Sequence, residues 1–123
     1  MTSGGRAAGD RWESVAAEYL SARGLTIVAR GYQCRLGELD IVCRDGRDLV
    51  VVEVRARATT KFADALGSIG PRKQARIIKA TRHYLMRHPA EQRNAVRFDV
   101  VAIDGIGSPK PTISWIRAAF SAT

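Results

Sequence analysis

Acidic residues are scarce in this chain. Twelve Asp plus Glu stand against twenty Lys plus Arg, which leaves a formal charge of +8 and a pI near 10.3. Such an excess favours a polyanionic partner, with nucleic acid first and an acidic membrane surface second. Cysteine is scarcer still. Cys34 and Cys43 are too few for a disulfide framework or a zinc site, and their spacing matches no metal motif. They read as small half-buried hydrophobes in a reducing cytosol. No apolar run is long enough to span a bilayer, and the start "MTSGGRAAGDRW" lacks the apolar core of a secretory signal. The expectation is a cytoplasmic protein with no membrane role. Repeats and domain-separating linkers are also missing. With 123 residues, the chain is one domain able to bury its own core.

What is present is ordered. Residues 1–9 are small and polar and read as a flexible tail; residues 10–123 are the single domain. Asp10 is placed to cap a helix in which Trp12, Val15, Ala16, Tyr19 and Leu20 recur at helical spacing. Gly24 suits its end. "LTIVARGYQC" reads as a first strand, bent around Gly31. "GELDIVCR" and "LVVVEVRAR" read as the second and third, joined by Asp45-Gly46 in a hairpin turn with positive φ at both central residues. Residues 58–70 form a mixed loop. A second helix opens at Pro71 and ends before Pro89, with Ile77, Ile78, Thr81, Tyr84 and Leu85 as its buried stripe. "AVRFDVVAI" is a fourth strand, and "TISWIRAAF" a short final strand or extended tail. The order αβββαβ implies one α/β sandwich.

Alternation puts Glu53, Arg55 and Arg57 on one face of the third strand, and Val50, Val52, Val54 and Ala56 on the other. On the second strand Glu38, Asp40 and Val42 share a face, and Leu39, Ile41 and Cys43 the opposite one. The hairpin lays Asp40 beside Glu53. Two neighbouring carboxylates repel unless a cation lies between them. A divalent ion is one answer, because Mg²⁺ needs only one or two carboxylates plus waters and substrate phosphates. An arginine is the other. Glu13, at the border of the first helix's apolar stripe, is a third carboxylate able to reach over the sheet edge. Taken alone, it is a helix-start residue that complements the dipole. The second helix carries Arg72, Arg76, Lys79, His83 and Arg87 along one face with no acid among them. That face is a solvated surface or a track for phosphates.

These blocks resemble a family. "WESVAAEYL", "RGLTIVARGYQCR", "LGELD" followed by "VEVRAR", "GPRKQARIIKATRHYL" and "VRFDVVAI" occur in the order found in the uncharacterised bacterial YraN-like family, regarded as candidate endonucleases. The resemblance covers roughly residues 11 to 120 and implies the restriction-endonuclease-like, PD-(D/E)XK nuclease fold: an αβββαβ core, a mixed sheet flanked by helices. Holliday-junction resolvases share that fold. By the same resemblance, Asp40 and Glu53 are the catalytic acids and ligands for Mg²⁺ or Mn²⁺. The Val54 carbonyl and Glu13 would be further ligands. Lys73 and Gln74 would position phosphate or water. Leu39 stands where the motif often has proline. Arg55 stands where the family has lysine. A guanidinium holds phosphate but does not give up a proton.

Three readings result. The first is a metal-dependent endonuclease acting on DNA rather than RNA, branched or structured DNA included. Arg55, Arg57, Lys61, Arg72, Lys73, Arg76 and Lys79 would then touch nucleic acid. The second is a nucleic-acid-binding protein that keeps the fold but has lost turnover through Arg55, in the extreme with Arg55 paired to Asp40 and Glu53. The third is a mere strand-end salt bridge, Glu53 to Arg55, which leaves Asp40 and the first helix unexplained. Nucleases that cut both strands are often dimers, so a homodimer is an allowed assembly.

Overall fold

The computed structural model describes residues 4–58 and 69–122, with side chains from residue 9 onward. Five strands form one sheet in the order β1-β2-β3-β4-β5. They are β1 Thr26–Cys34, β2 Gly37–Asp45, β3 Asp48–Arg57, β4 Val96–Asp104 and β5 Thr112–Phe120. Only β3 and β4 run parallel; the other neighbours are antiparallel. A parallel pair needs a crossover, and α2 (Pro71–Arg87) lies within it. This mixed α/β architecture is consistent with a restriction-endonuclease-like core. No helix of the described residues is long and apolar enough to cross a membrane.

The sheet is covered on both sides. One core joins Ile77, Ala80 and Tyr84 of α2 to Leu49, Val51, Phe98, Val100 and Ala102. The other joins Trp12, Ala16 and Leu20 of α1 (Gly4–Ala22) to Ile41, Cys43, Val50, Val52, Val101 and Ile103. β3 lies between β2 and β4, so both of its faces are buried, and its continuous apolar run follows from that. Each fully buried Val or Leu side chain contributes about 1.5–3 kcal/mol.

Three sequence expectations change. The first helix begins at Gly4, so Asp10 lies inside it rather than at its cap, and its carbonyl accepts from Ser14 Oγ. Ala7 and Ala8 suit a helix well enough to carry it back past Asp10. The hairpin is shifted by one residue. Asp45 pairs with Asp48, and the loop is Gly46-Arg47 with positive φ at Gly46 alone (φ 63°). That places glycine at the first central position, as a type II′ turn demands. The final segment takes the first of its two expected forms, an edge strand over the same residues. Lastly, Leu39 packs in the α2-side core with Val42, whereas Ile41 packs on the α1 side. Strict alternation along β2 therefore fails at Asp40.

The matching irregularity on β1 is Gly31, at φ 63°. It lies opposite Asp40 between the pairs Arg30–Ile41 and Tyr32–Leu39. Arg30 reaches α1, where it contacts Glu13 and Ser14, while Tyr32 reaches α2 and its His83. In a regular strand both would share a face. The expected bend at Gly31 is thus a change of face shared by two strands.

Candidate active site in the fork between two strands

The β2–β3 ladder ends at Ile41–Val52. Beyond it, β2 remains paired only with β1, and β3 only with β4. The sheet forks there, and the next position in register is Asp40 beside Glu53. The irregularity at Asp40 turns its carboxylate toward β3. Asp40 Oδ2 accepts from the Val54 backbone N–H at 2.9 Å. This bond replaces the ladder bond that Val54 lacks on that side.

Glu53 is 5% exposed, in the middle of the central strand. Burial and then the Asp40 charge push its carboxyl up to about 7, against relief from Lys73. Asp40 is also raised, by burial first, while its bonds to Val54 N–H and to Glu53 lower it. The two carboxyls are thus close neighbours, both raised chiefly by burial, and positive charge reaches them from the Glu53 side. Lys73 Nζ stands 3.2 Å from Glu53 Oε2, and Arg55 Nη1 stands 3.9 Å from the same oxygen. Arg55 is therefore not inserted between the acids, and its buried Nε has no hydrogen-bond partner among the described residues.

Two clefts open from the fork and meet at Asp40. The larger, about 630 Å³, is lined by Trp12, Glu13, Asp40, Val54, Arg55 and Ala56, among others. The smaller, about 380 Å³, includes Glu38, Asp40, Lys73 and Arg76. Lys73 and Arg76 join it to the exposed basic face of α2, which carries Arg72, Lys79, Arg82 and Arg87 as well.

Several expected site residues are engaged elsewhere. Glu13 lines the larger cleft but pairs with Arg30, Nε to Oε1 at 3.1 Å, and its carboxyl is raised by burial. Among the described residues no three His, Cys, Asp or Glu side chains are grouped closely enough to hold a metal ion. Glu13 shares the cleft with Asp40 and is raised in part by its charge, while Arg30 holds its carboxylate. Gln74 donates its side-chain amide to the Ile69 carbonyl at 2.9 Å and lines neither cleft. It anchors the start of α2. Arg57 is largely covered and bonded to Asp104 at 2.7 Å, its register partner on β4. His83 is half-buried and hydrogen-bonded to Tyr32 rather than solvated. Lys61 lies outside the described residues. Cys43 is buried, its thiol pushed up to about 12 chiefly by burial, and takes no part.

Sequence reasoning missed Arg30 as the partner of Glu13, and Lys73 as the closer cation on Glu53. The first depends on the change of face at Gly31. The second depends on how α2 docks, which no local pattern encodes.

Asp40 and Glu53 are two carboxylates at an open fork, both raised chiefly by burial, and two carboxylates are the donor set that a hard divalent ion takes with water and phosphate oxygens. A family model described as the uncharacterised protein family UPF0102 matches residues 12–103. Similar chains carry the same family label. One from Nitrosococcus oceani is 48% identical over 114 residues, covering 91% of this chain and 90% of its own length. One from Legionella pneumophila is 43% identical over 110 residues, with 89% and 91% covered. One from Methylococcus capsulatus is 44% identical over 114 residues, with 93% and 90% covered. The chain belongs to the uncharacterised protein family UPF0102, the YraN-like family its motifs resemble.

Proposed function

We propose that the fork is the centre of a metal-dependent endonuclease that hydrolyses phosphodiester bonds in DNA, branched and structured forms included. One observation carries the reading: Asp40 and Glu53 meet where the β2–β3 ladder ends, both raised by burial, beside a basic helix face. Asp40 and Glu53 would hold Mg²⁺ or Mn²⁺, and the ion would supply an activated water and stabilise the transferring phosphoryl charge. The Val54 carbonyl is a further candidate ligand. Val54 N–H orients Asp40 through its 2.9 Å bond. Arg55 lines the larger cleft with its side chain about one-third exposed, and the exposed part of its guanidinium would face a phosphate oxygen there. Arg72, Arg76 and Lys79 are exposed along α2 and suit successive phosphates of a backbone.

A second reading has its own support. Lys73 already neutralises Glu53 in part, and Arg55 cannot serve as the lysine of the motif. The protein would then bind nucleic acid without cutting it. Flapped, branched, single-stranded and duplex DNA, incubated with Mg²⁺, Mn²⁺ or EDTA, separate the two. The endonuclease reading expects cleavage that needs the ion and disappears in Asp40→Ala and Glu53→Ala. Cleavage that persists in both variants sinks the site. Salt-sensitive binding without cleavage, with activity appearing on Arg55→Lys, selects the second reading.

A further inference from the structure

Glu53 and Lys73 form an unequal pair. Glu53 is fixed: its side chain is 6% exposed on the central strand of the sheet. Lys73 is not. It sits in the first turn of α2, its side chain is 46% exposed, and it lines the smaller cleft beside Arg76. Its Nζ lies 3.2 Å from the Glu53 oxygen, closer than the 3.9 Å of Arg55. Asp40 has no ion pair of its own among the described residues and takes its charge relief from Val54 N–H and, at longer range, from Lys73. One ammonium on a flexible stem therefore attends two carboxylates.

We propose that Lys73 is a displaceable counter-ion: it holds the place of a divalent cation at Glu53 in the metal-free protein, and is released to the substrate phosphate when the ion binds. The inference rests on the metal-dependent reading of the fork. An ammonium and a divalent ion compete for one carboxylate oxygen and repel each other at that range. The open wall of the smaller cleft offers Lys73 one other destination. There Arg76 is its neighbour, and an anion such as a phosphate would lie between the two cations. The exchange also keeps the fork from carrying two uncompensated carboxylates when empty.

Calorimetric titration with Mn²⁺ tests the exchange directly, on wild type, Lys73→Met, Lys73→Gln and Asp40→Asn. Both Lys73 variants are expected to bind Mn²⁺ about three- to tenfold more tightly than wild type, because the competing charge is gone. Asp40→Asn is expected to bind far more weakly. A fluorescent branched DNA supplies the second readout, in Ca²⁺ and in EDTA. Lys73→Met should weaken its binding several-fold in Ca²⁺ and less in EDTA. Equal or weaker Mn²⁺ binding by the Lys73 variants, while wild type binds and Asp40→Asn does not, overturns the exchange and leaves the metal site standing. Loss of DNA affinity that is the same in Ca²⁺ and EDTA overturns the release of Lys73 to phosphate. No Mn²⁺ binding by wild type overturns both this inference and the reading beneath it.

Discussion

Two buried carboxylates sit in the same sheet under opposite conditions. Asp99 on β4 is fully buried, and four N–H groups converge on it. Arg97 donates from Nε and Nη2 at 2.9 and 3.0 Å, Trp115 Nε1 at 2.9 Å and the Ala118 backbone at 2.9 Å. Ala118 adopts φ 50° on β5, a conformation rarely taken by a residue with a side chain, and Asp99 holds it there. Glu53 on β3 is nearly as buried, yet it faces Asp40 and receives only the outer ends of Lys73 and Arg55. A saturated carboxylate fastens two strands. The pair at the fork is raised by burial, and Glu53 further by the Asp40 charge, so the pair's charged form is costly to the fold. Burial is nearly the same for Asp99 and Glu53; what differs is the number of donors each receives.

The comparison can be broken at either end. The largest expected effect is at the saturated end. Asp99→Ala strips Trp115 and the Ala118 amide of their acceptor at once and leaves Arg97 with Asp45 alone. It should cost about 3–5 kcal/mol of stability, read as a shift in the urea midpoint. A loss under 1 kcal/mol would mean that β5 does not depend on Asp99.

Glu53→Gln should do the opposite. Burial and Asp40 raise the native carboxyl from 4.5 to about 7, so charging Glu53 destabilises the fold as pH rises from about 4.5 through 7. Glutamine imitates the protonated form. Metal-free Glu53→Gln is therefore expected to be more stable than wild type at pH 8, by about 1–3 kcal/mol, with the gain vanishing near pH 4.5. Denaturant melts at the two pH values check the sign. Equal stability at pH 8 would mean that Lys73 already satisfies the acid.

Glu13→Gln gives the smallest change. Its bond to Arg30 is partly exposed, so the cost should stay below about 1 kcal/mol. Mn²⁺ affinity should move little, because Glu13 is held by Arg30 and stands outside the Asp40–Glu53 pair. A drop in affinity comparable with that of Asp40→Asn would return Glu13 to the ligand set.

Much of this was legible beforehand because local signals agreed. The hairpin between two apolar runs puts Asp40 and Glu53 on one face, but a loop centred on Asp45-Gly46 would set Asp40 opposite Val51; only the observed one-residue shift sets it opposite Glu53. Pro71 and Pro89 bounded α2 correctly. What escaped depends on contacts distant in sequence. Strict alternation misplaced Leu39, because a glycine on another strand changes the face of both. With that change unseen, Arg30 had no visible route to Glu13. The Asp99 junction stayed hidden because Trp115 and Ala118 reach it only after β5 folds back along β4. Arg57 looked like a surface cation until its parallel partner proved to be Asp104.

The central claim is that the fork, unlike the Asp99 junction, is built to take a divalent cation. Thermal melting of wild type at pH 8 with increasing Mn²⁺ tests it most directly, since an ion that binds only the native state raises the melting temperature. The account predicts a concentration-dependent rise in wild type that is abolished in Asp40→Asn. A melting temperature indifferent to Mn²⁺, or a rise of equal size in Asp40→Asn, would contradict it.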